Sequence, residues 1–161
     1  MTHIEILATG PELITKGIRG IESVVEDLIR EAKSEIQIIT YVFTAKAIRI
    51  LTLVEKAAER GVSITIVVNK LEVHNLVIRT KLKSITEKFP YVKIYTFADL
   101  GGKQLHAKIL VVDRKKAVVG SANYTWGGMV SNYEVGLLVE GPGVWSLAQI
   151  ADIITTLSKS V

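Results

Sequence analysis

Three pairs of polar residues, each two positions apart, carry the chemistry that this sequence could perform. The pairs are His106 with Lys108, Ser121 with Asn123, and Asn132 with Glu134. They accompany runs of Val, Ile, Leu and Ala, and alternate residues of a β-strand share one face. A polar group buried without a partner costs about 1–3 kcal/mol. We therefore interpret the three pairs as a site that is kept for function.

The residue types in these pairs fit chemistry at phosphorus. Histidine can attack phosphorus as a nucleophile, and an ammonium group two residues on can neutralise the phosphate oxygens. His106 and Lys108 are predicted to take these roles. Ser121 and Asn123 can add hydrogen bonds to the same oxygens. Glu134 is predicted to accept a hydrogen bond from His106 Nδ1, which leaves Nε2 free to attack.

A leaving alkoxide also needs a proton, from a general acid that stands opposite the nucleophile. The chain has three histidines, and neither His3 nor His74 has a lysine two residues further on. We therefore expect the second histidine to be His106 of another copy. The sequence thus predicts a homodimer with one active site on its two-fold axis.

The elements that position these pairs alternate between strand and helix. Apolar, β-branched runs predict strands over 3–8, 36–43, 62–68, 92–97, 106–113, 117–120 and 133–140. Helical periodicity predicts helices over 21–32, 45–60, 73–89 and 144–158. In the third helix, Val73, Leu76, Val77 and Ile85 are expected to face the core, and 99–104 is expected to be a flexible loop. This order predicts an α/β fold with a mixed, largely parallel central sheet flanked by helices.

Composition restricts the class of protein. The chain has 161 residues, of which 48% are hydrophobic and 22% are charged, as in a globular protein, and we expect a single domain over 1–161. The lack of cysteine excludes disulfides and thiolate metal sites. The first residues lack the pattern of a secretory signal, and no apolar run reaches membrane-spanning length. We therefore expect a soluble, cytoplasmic protein without a membrane partner.

The net charge of +4 is concentrated in one segment. Residues 70–93 contain six Lys or Arg and two Glu, so this segment carries the whole excess. A positive field suits a polyanion such as nucleic acid, although a solvated helix face would give the same pattern. We predict that Arg79 and Lys83 in this segment bind the substrate, together with Lys46, Lys103 and Asn132.

The spacing of these residues resembles the HKD signature of the phospholipase D superfamily. The matching positions are His106, Lys108, Asp113, Gly120, Ser121 and Asn123, with residues 41–43 before them and Asn132 and Glu134 after them. The resemblance implies a phospholipase D-like fold and a phosphohistidine intermediate. Because one motif is present, it points to the small single-motif nucleases that act as dimers. It also gives Asp113 a structural role, which the opposite strand parity of this residue predicts independently.

The predicted function is that of a metal-independent endonuclease, a phosphodiesterase that hydrolyses nucleic-acid phosphodiester bonds, with DNA favoured over RNA. A two-metal nuclease needs several carboxylates, and only Glu134 has a place in this site, so no metal or other cofactor is expected. Two alternatives stay open. One is a lipid phosphodiesterase or phosphatidyltransferase, which would more typically carry two motifs. The other is a nucleic-acid binding module without hydrolytic activity.

Overall fold

The computed structural model describes residues 1–98 and 101–161. The strands in these ranges are β1 (His3–Thr9), β2 (Arg19–Gly20), β3 (Glu35–Thr40), β4 (Ser63–Asn69), β5 (Val92–Phe97), β6 (Ile109–Val112), β7 (Lys116–Gly120), β8 (Glu134–Glu140) and β9 (Lys159–Ser160). The helices are α1 (Pro11–Ile14), α2 (Ile21–Glu31), α3 (Ile48–Glu59), α4 (Leu76–Lys88) and α5 (Val144–Thr156). Short 3₁₀ turns precede α3 and α4, and a π-helical turn at Gly127–Ser131 precedes β8.

All of these strands belong to one sheet, in the order β2-β1-β8-β7-β6-β3-β4-β5-β9. Pairing is parallel between β3 and β4, β4 and β5, and β1 and β2. The other neighbours are antiparallel. The predicted mixed α/β fold is therefore confirmed. Its parallel part, β3-β4-β5, lies toward one side of the sheet and is the unit that the crossovers through α3 and α4 build.

The two faces of the sheet carry separate hydrophobic layers. Ile38 and Ile39 of β3 are adjacent and fully buried, yet they belong to different layers because strand side chains alternate. One layer receives α2, α3 and α4. The other receives α5, through residues such as Val144 and Ala148. The strands around β3 are thus covered on both faces, as a continuous apolar strand requires, whereas Ile4 and Ile6 of β1 and Val135 of β8 are exposed.

Helix α4 differs from the prediction in where it begins and in which of its residues are buried. It begins at Leu76, because the side chain of Asn75 caps it by accepting a hydrogen bond from Val77 N at 2.8 Å. Val73, Leu76 and Val77 are exposed, so the prediction that they face the core is wrong, whereas Ile85 is buried as expected. The buried positions of α4 are spaced i, i+4 and i+7, at Ile78, Leu82 and Ile85.

Several strand ends meet at one edge of the sheet, which we call the site edge. Strands β3 and β4 end there at Thr40 and Asn69. Because β6 and β8 run antiparallel to β3 and β7, they begin at this edge, while β7 ends there. The predicted strand 106–113 is wrong at both ends, since only Ile109–Val112 pairs. In the predicted loop 99–104, residues 99 and 100 lie outside the described residues.

Candidate active site

His106 and Lys108 lie at the site edge, in an extended segment just before β6. The Lys108 ammonium donates to the His106 carbonyl oxygen at 2.6 Å. The same Nζ lies 2.8 Å from His106 Nδ1 and 3.3 Å from Nε2. Lys108 is only 8% exposed, and burial lowers its pKa, which the charge of Glu134 opposes. The predicted pair is therefore assembled, with a buried cation directly beside the imidazole.

His106 is exposed, and its ring packs against that of Tyr41. The two ring centroids are 5.3 Å apart and the ring planes are tilted by 49°. Such tilted aromatic contacts are favourable and restrict the orientation of both rings. Tyr41 follows directly after β3, where the chain leaves the sheet. It was part of the resemblance but was not among the predicted site residues.

Ser121 and Glu134 form the second part of the site. Ser121 Oγ donates to the Glu134 carboxylate and accepts from Val135 N at 3.2 Å. Asn132 Nδ2 donates to the same carboxylate at 3.4 Å. The predicted bond from His106 Nδ1 to Glu134 is not formed among the described residues, because Nδ1 faces Lys108 instead. Glu134 is thus held by Asn132, just before β8, and by Ser121, just after β7.

Two glycines make this arrangement possible. A side chain on Gly120 would overlap the Val135 carbonyl oxygen and come within 2.6 Å of Gly136 Cα. A side chain on Gly128 would overlap the backbone of Asn123. Both positions therefore need glycine for close approach. Because β7 and β8 approach closely at Gly120, Ser121 reaches Glu134.

Asn123 is connected to the end of β3. Its Oδ1 lies 3.5 Å from Thr40 Oγ1. The next residue, Tyr124, accepts a backbone hydrogen bond from Thr44 at 3.1 Å. The segment after β7 and the segment after β3 are therefore joined, which places Asn123 at the same edge as His106 and Lys108.

Asp113 lies at the far end of β6 from Lys108, in a turn where its φ is +53°. Its carboxylate accepts hydrogen bonds from Ser34 N and Oγ at 2.8 Å, Glu35 N at 2.9 Å and Lys33 N at 3.0 Å. Burial opposes its ionisation, but these hydrogen bonds outweigh burial and lower the pKa of this carboxyl. Asp113 therefore ties the turn after β6 to the loop before β3, away from the site, as its predicted structural role requires.

The predicted substrate-binding cations are exposed but differ in their surroundings. Lys46 Nζ lies 5.9 Å from the centre of the Trp126 ring, which is 50% exposed. Lys83 Nζ lies 3.8 Å from Glu87. Arg79 is exposed near the start of α4, and Lys103 is exposed in the segment before His106. Asn132, the fifth predicted residue, is exposed and directed to Glu134.

Part of the basic segment is neutralised inside the fold. The carboxylate of Glu55 on α3 binds Lys88 Nζ at 2.8 Å and also binds Lys81. Two of the six cations in 70–93 therefore serve to join α4 to α3. The sequence pattern alone could not separate these structural cations from those free to meet a polyanion.

A buried asparagine completes the site edge, and sequence reasoning missed it. Asn69 ends β4, is 4% exposed and accepts a hydrogen bond from Leu105 N at 3.0 Å through its Oδ1. The signal that could have found it is a polar residue at the end of the apolar strand Ser63–Asn69.

Within residues 1–98 and 101–161, no group of three or more His, Asp or Glu side chains is arranged to hold a metal ion. No helix in the same ranges combines the length and hydropathy needed to span a membrane.

The sequence and the fold of this chain are similar to those of known proteins. DISARM protein DrmC of Bacillus paralicheniformis is 29% identical over 142 residues, which are 87% of this chain and 58% of DrmC. The chain thus spans little more than half the length of this curated relative. Nuc, a phospholipase D family member from Salmonella typhimurium, superposes with a TM-score of 0.80 at 20% identity, over 100% of this chain and 99% of that one. NucT from Helicobacter pylori superposes with a TM-score of 0.79 at 18% identity, over 100% of both chains. The profile of the family described as "Cardiolipin synthase, PLD-like domain" matches residues 25–156, so the chain belongs to this phospholipase D-like family.

Proposed function

We propose that this protein is a phosphodiesterase that hydrolyses nucleic-acid phosphodiester bonds by covalent catalysis at His106. One observation supports this function above all. An exposed imidazole lies beside a buried ammonium group, at the edge of the sheet where Ser121, Asn123 and Glu134 also lie. A nucleophile and an electrostatic partner in such proximity suit attack on a phosphate diester.

The buried ammonium of Lys108 is well prepared to stabilise developing charge. Its position is set by the bond to the His106 carbonyl oxygen, so little reorganisation is needed when a phosphate arrives. We infer that the Lys108 ammonium keeps this bond and turns another of its N–H groups from His106 Nδ1 to the bound phosphate, and that Nε2 then attacks phosphorus. Asn123 Nδ2 would donate to a remaining non-bridging oxygen, and Ser121 would do the same by turning its hydroxyl proton from Glu134 to the phosphate.

The leaving oxygen needs a proton that the two other histidines are badly placed to give. His3 begins β1 opposite Glu140, at the far edge of the sheet from Glu134. His74 is buried, with its Nδ1 3.2 Å from the Lys70 carbonyl oxygen, and burial lowers its pKa. We therefore propose that His106 of a second copy protonates the leaving oxygen. Water then hydrolyses the phosphohistidine, with that second histidine as general base.

Nucleic acid is the proposed substrate because of the cations around the site edge. Lys46 and Lys103 are exposed on segments that reach this edge, and Arg79 lies in the part of α4 nearest to it. Lys46 also lies over the exposed Trp126, and a cation beside an aromatic ring suits a phosphate backbone with its bases. We propose that the reaction needs no metal ion and that DNA is preferred to RNA.

A lipid phosphodiester is the second candidate, because the matching family profile is described as that of cardiolipin synthase. Purified protein should be incubated in EDTA with single-stranded DNA, duplex DNA, RNA, and vesicles of phosphatidylglycerol and cardiolipin. The proposed function predicts that nucleic acid is cleaved in the presence of EDTA. It also predicts that His106→Ala abolishes this cleavage. Cleavage of the lipid alone would favour the second candidate. Cleavage that EDTA stops and magnesium restores would contradict the covalent mechanism.

The shared site can be tested by mixing subunits. Wild-type and His106→Ala chains should be unfolded together, refolded and assayed at several ratios. If one site needs both histidines, activity falls as the square of the wild-type fraction. His3→Gln is the matched control, because mixing it with wild type should leave the activity unchanged. A linear fall with His106→Ala would show that each subunit works alone.

A further inference from the structure

Among the described residues, the segment that carries His106 and Lys108 lies outside the regular strand pairing of the sheet. Regular pairing of β6 begins only at Ile109, and the backbone bond nearest to the pair joins Gly120 N to Lys108 O at a long 3.4 Å. An extended segment outside a ladder has many accessible conformations unless other groups fix it. Some further contact is therefore needed to keep the imidazole in one place.

Asn69 provides such a contact from a neighbouring strand. Its Oδ1 accepts the hydrogen bond of Leu105 N at 3.0 Å, and Leu105 directly precedes His106. Asn69 and Leu105 are 4% and 5% exposed, so water competes little for this bond. Breaking it would leave a buried amide without an acceptor, which is costly.

The backbone around Asn69 is shaped to hold its side chain at the site edge. Lys70 adopts a left-handed conformation with φ of +46°, which is uncommon for a residue other than glycine. Its amide donates to the Phe97 carbonyl oxygen at 2.9 Å, so the chain turns away immediately after Asn69. Val67, two residues earlier, lies in the same hydrophobic layer as Leu105. By strand parity, Asn69 therefore points to the face on which Leu105 packs.

We infer that Asn69 is a positioning residue, which fixes the amide of Leu105 and through it the orientation of His106 for attack. This inference rests on the proposed function for its catalytic consequence, but its structural part can be measured without a substrate. An asparagine suits the role because it supplies an acceptor without a charge. A carboxylate at the same place would favour the protonated, non-nucleophilic imidazole.

The test compares three variants. Asn69→Leu removes the acceptor at similar volume, and Asn69→Asp keeps an acceptor oxygen. Thr96→Val is the matched control, because Thr96 Oγ1 also accepts a backbone bond at this edge, from Leu71 N at 2.9 Å, in a loop that does not carry the pair. We expect Asn69→Leu to lower kcat about 10- to 100-fold with KM changed less than about threefold, since small misplacements of a nucleophile act on kcat. Asn69→Asp should recover most of that rate at a higher pH, and Thr96→Val should keep the wild-type rate.

A second measurement separates this inference from the proposed function. The three histidine rings can be followed by NMR titration in the folded protein and assigned with His106→Ala, while hydrogen exchange follows the amide of Leu105. Asn69→Leu should move the His106 ring signals and speed exchange at Leu105, and Thr96→Val should do neither. If Asn69→Leu does not fold, the same two measurements on Asn69→Ala decide the question.

Equal losses of rate in Asn69→Leu and Thr96→Val would overturn the inference, and so would unchanged His106 signals and Leu105 exchange in Asn69→Leu. A wild-type protein that cleaves no phosphodiester would overturn the proposed function instead. In that case the NMR and exchange results would still decide whether Asn69 positions His106.

Discussion

Replacing Asp113 by asparagine should destabilise the protein while leaving its chemistry largely intact. Asparagine keeps one acceptor oxygen but puts an amide nitrogen where a carboxylate oxygen now accepts from Lys33 N at 3.0 Å. Lys33 N then keeps only its longer bond of 3.3 Å to the other oxygen, and the bonds from Ser34 and Glu35 lose the benefit of the charge. Hydrogen bonds to charged groups contribute about 1.5–3 kcal/mol and neutral ones about 0.5–1.5 kcal/mol.

The site of Asp113 is partly exposed, so water replaces some of what is lost. We therefore expect the free energy of unfolding to fall by about 2 kcal/mol, in the lower part of the range for such bonds. For a chain of this length, 1 kcal/mol corresponds to about 2–4 °C, so Tm should fall by about 4–8 °C.

The effect should depend on pH in a defined direction. The hydrogen bonds lower the pKa of Asp113 in the folded protein, whereas an unfolded Asp has a pKa of about 3.9. The stabilisation is therefore complete above that unfolded value and is lost as the pH falls through the lower folded value. The difference in stability between wild type and Asp113→Asn should be largest near neutral pH and should shrink below about pH 4.

Urea unfolding followed by circular dichroism at several pH values measures this difference. Asp27→Asn is the control, because Asp27 is exposed and its ion pair with Arg30, at 3.3 Å, should contribute less than about 1 kcal/mol. Cleavage by Asp113→Asn, assayed well below its Tm, should stay within about threefold of wild type, as expected for a change outside the reacting groups. An inactive Asp113→Asn with an unchanged Tm would refute the structural role.

Three further outcomes are expected. Lys108→Ala should lower the single-turnover rate about 100- to 1000-fold, since it removes a donor to developing charge; a loss below tenfold would contradict its assigned role. Arg79→Ala should weaken DNA binding, measured by anisotropy, and should lower the slope of the logarithm of affinity against the logarithm of salt concentration by about one. Lys81→Ala should mainly lower Tm, because the Lys81 ammonium is bound within the fold. Gly120→Ala should lose about 1–3 kcal/mol of stability, or fail to fold, because a methyl group there overlaps Val135; an unchanged Tm would show that β7 and β8 can separate.

Long apolar patterns predicted the helices and strands of this fold well, but they predicted less well which face of a helix is buried. The helix predicted over 21–32 is found at Ile21–Glu31, since its apolar stripe is long and unambiguous. Val73, in the turn before α4, and Val77, in α4, are as apolar as Ile78, so hydrophobicity alone could not decide which residues are buried. The cap at Asn75 sets the start of the helix, and the packing of Ile78 and Leu82 in the core gives its buried face. The start of α4 thus depends on a polar contact that the pattern of apolar residues does not reveal.

The motif predicted which residues meet at the site edge, but not all of their partners. His106 and Lys108 do lie together, although they precede the strand that was predicted to carry them. Glu134 is bound by Ser121 instead of His106, which depends on how closely β7 passes β8 at Gly120. Such distances between strands are tertiary properties and leave no local pattern.

Strand β6 separates the carboxylate of Asp113 from the reacting groups, His106 and Lys108, which lie at the opposite edge of the sheet. Its four residues span about 13 Å of extended chain. Substitutions separated by more than about 7–10 Å without shared partners usually combine additively. Changes around Asp113 that add stability should therefore combine freely with changes around His106 that alter substrate preference. A laboratory evolution experiment could recover at one edge the stability that new specificity costs at the other.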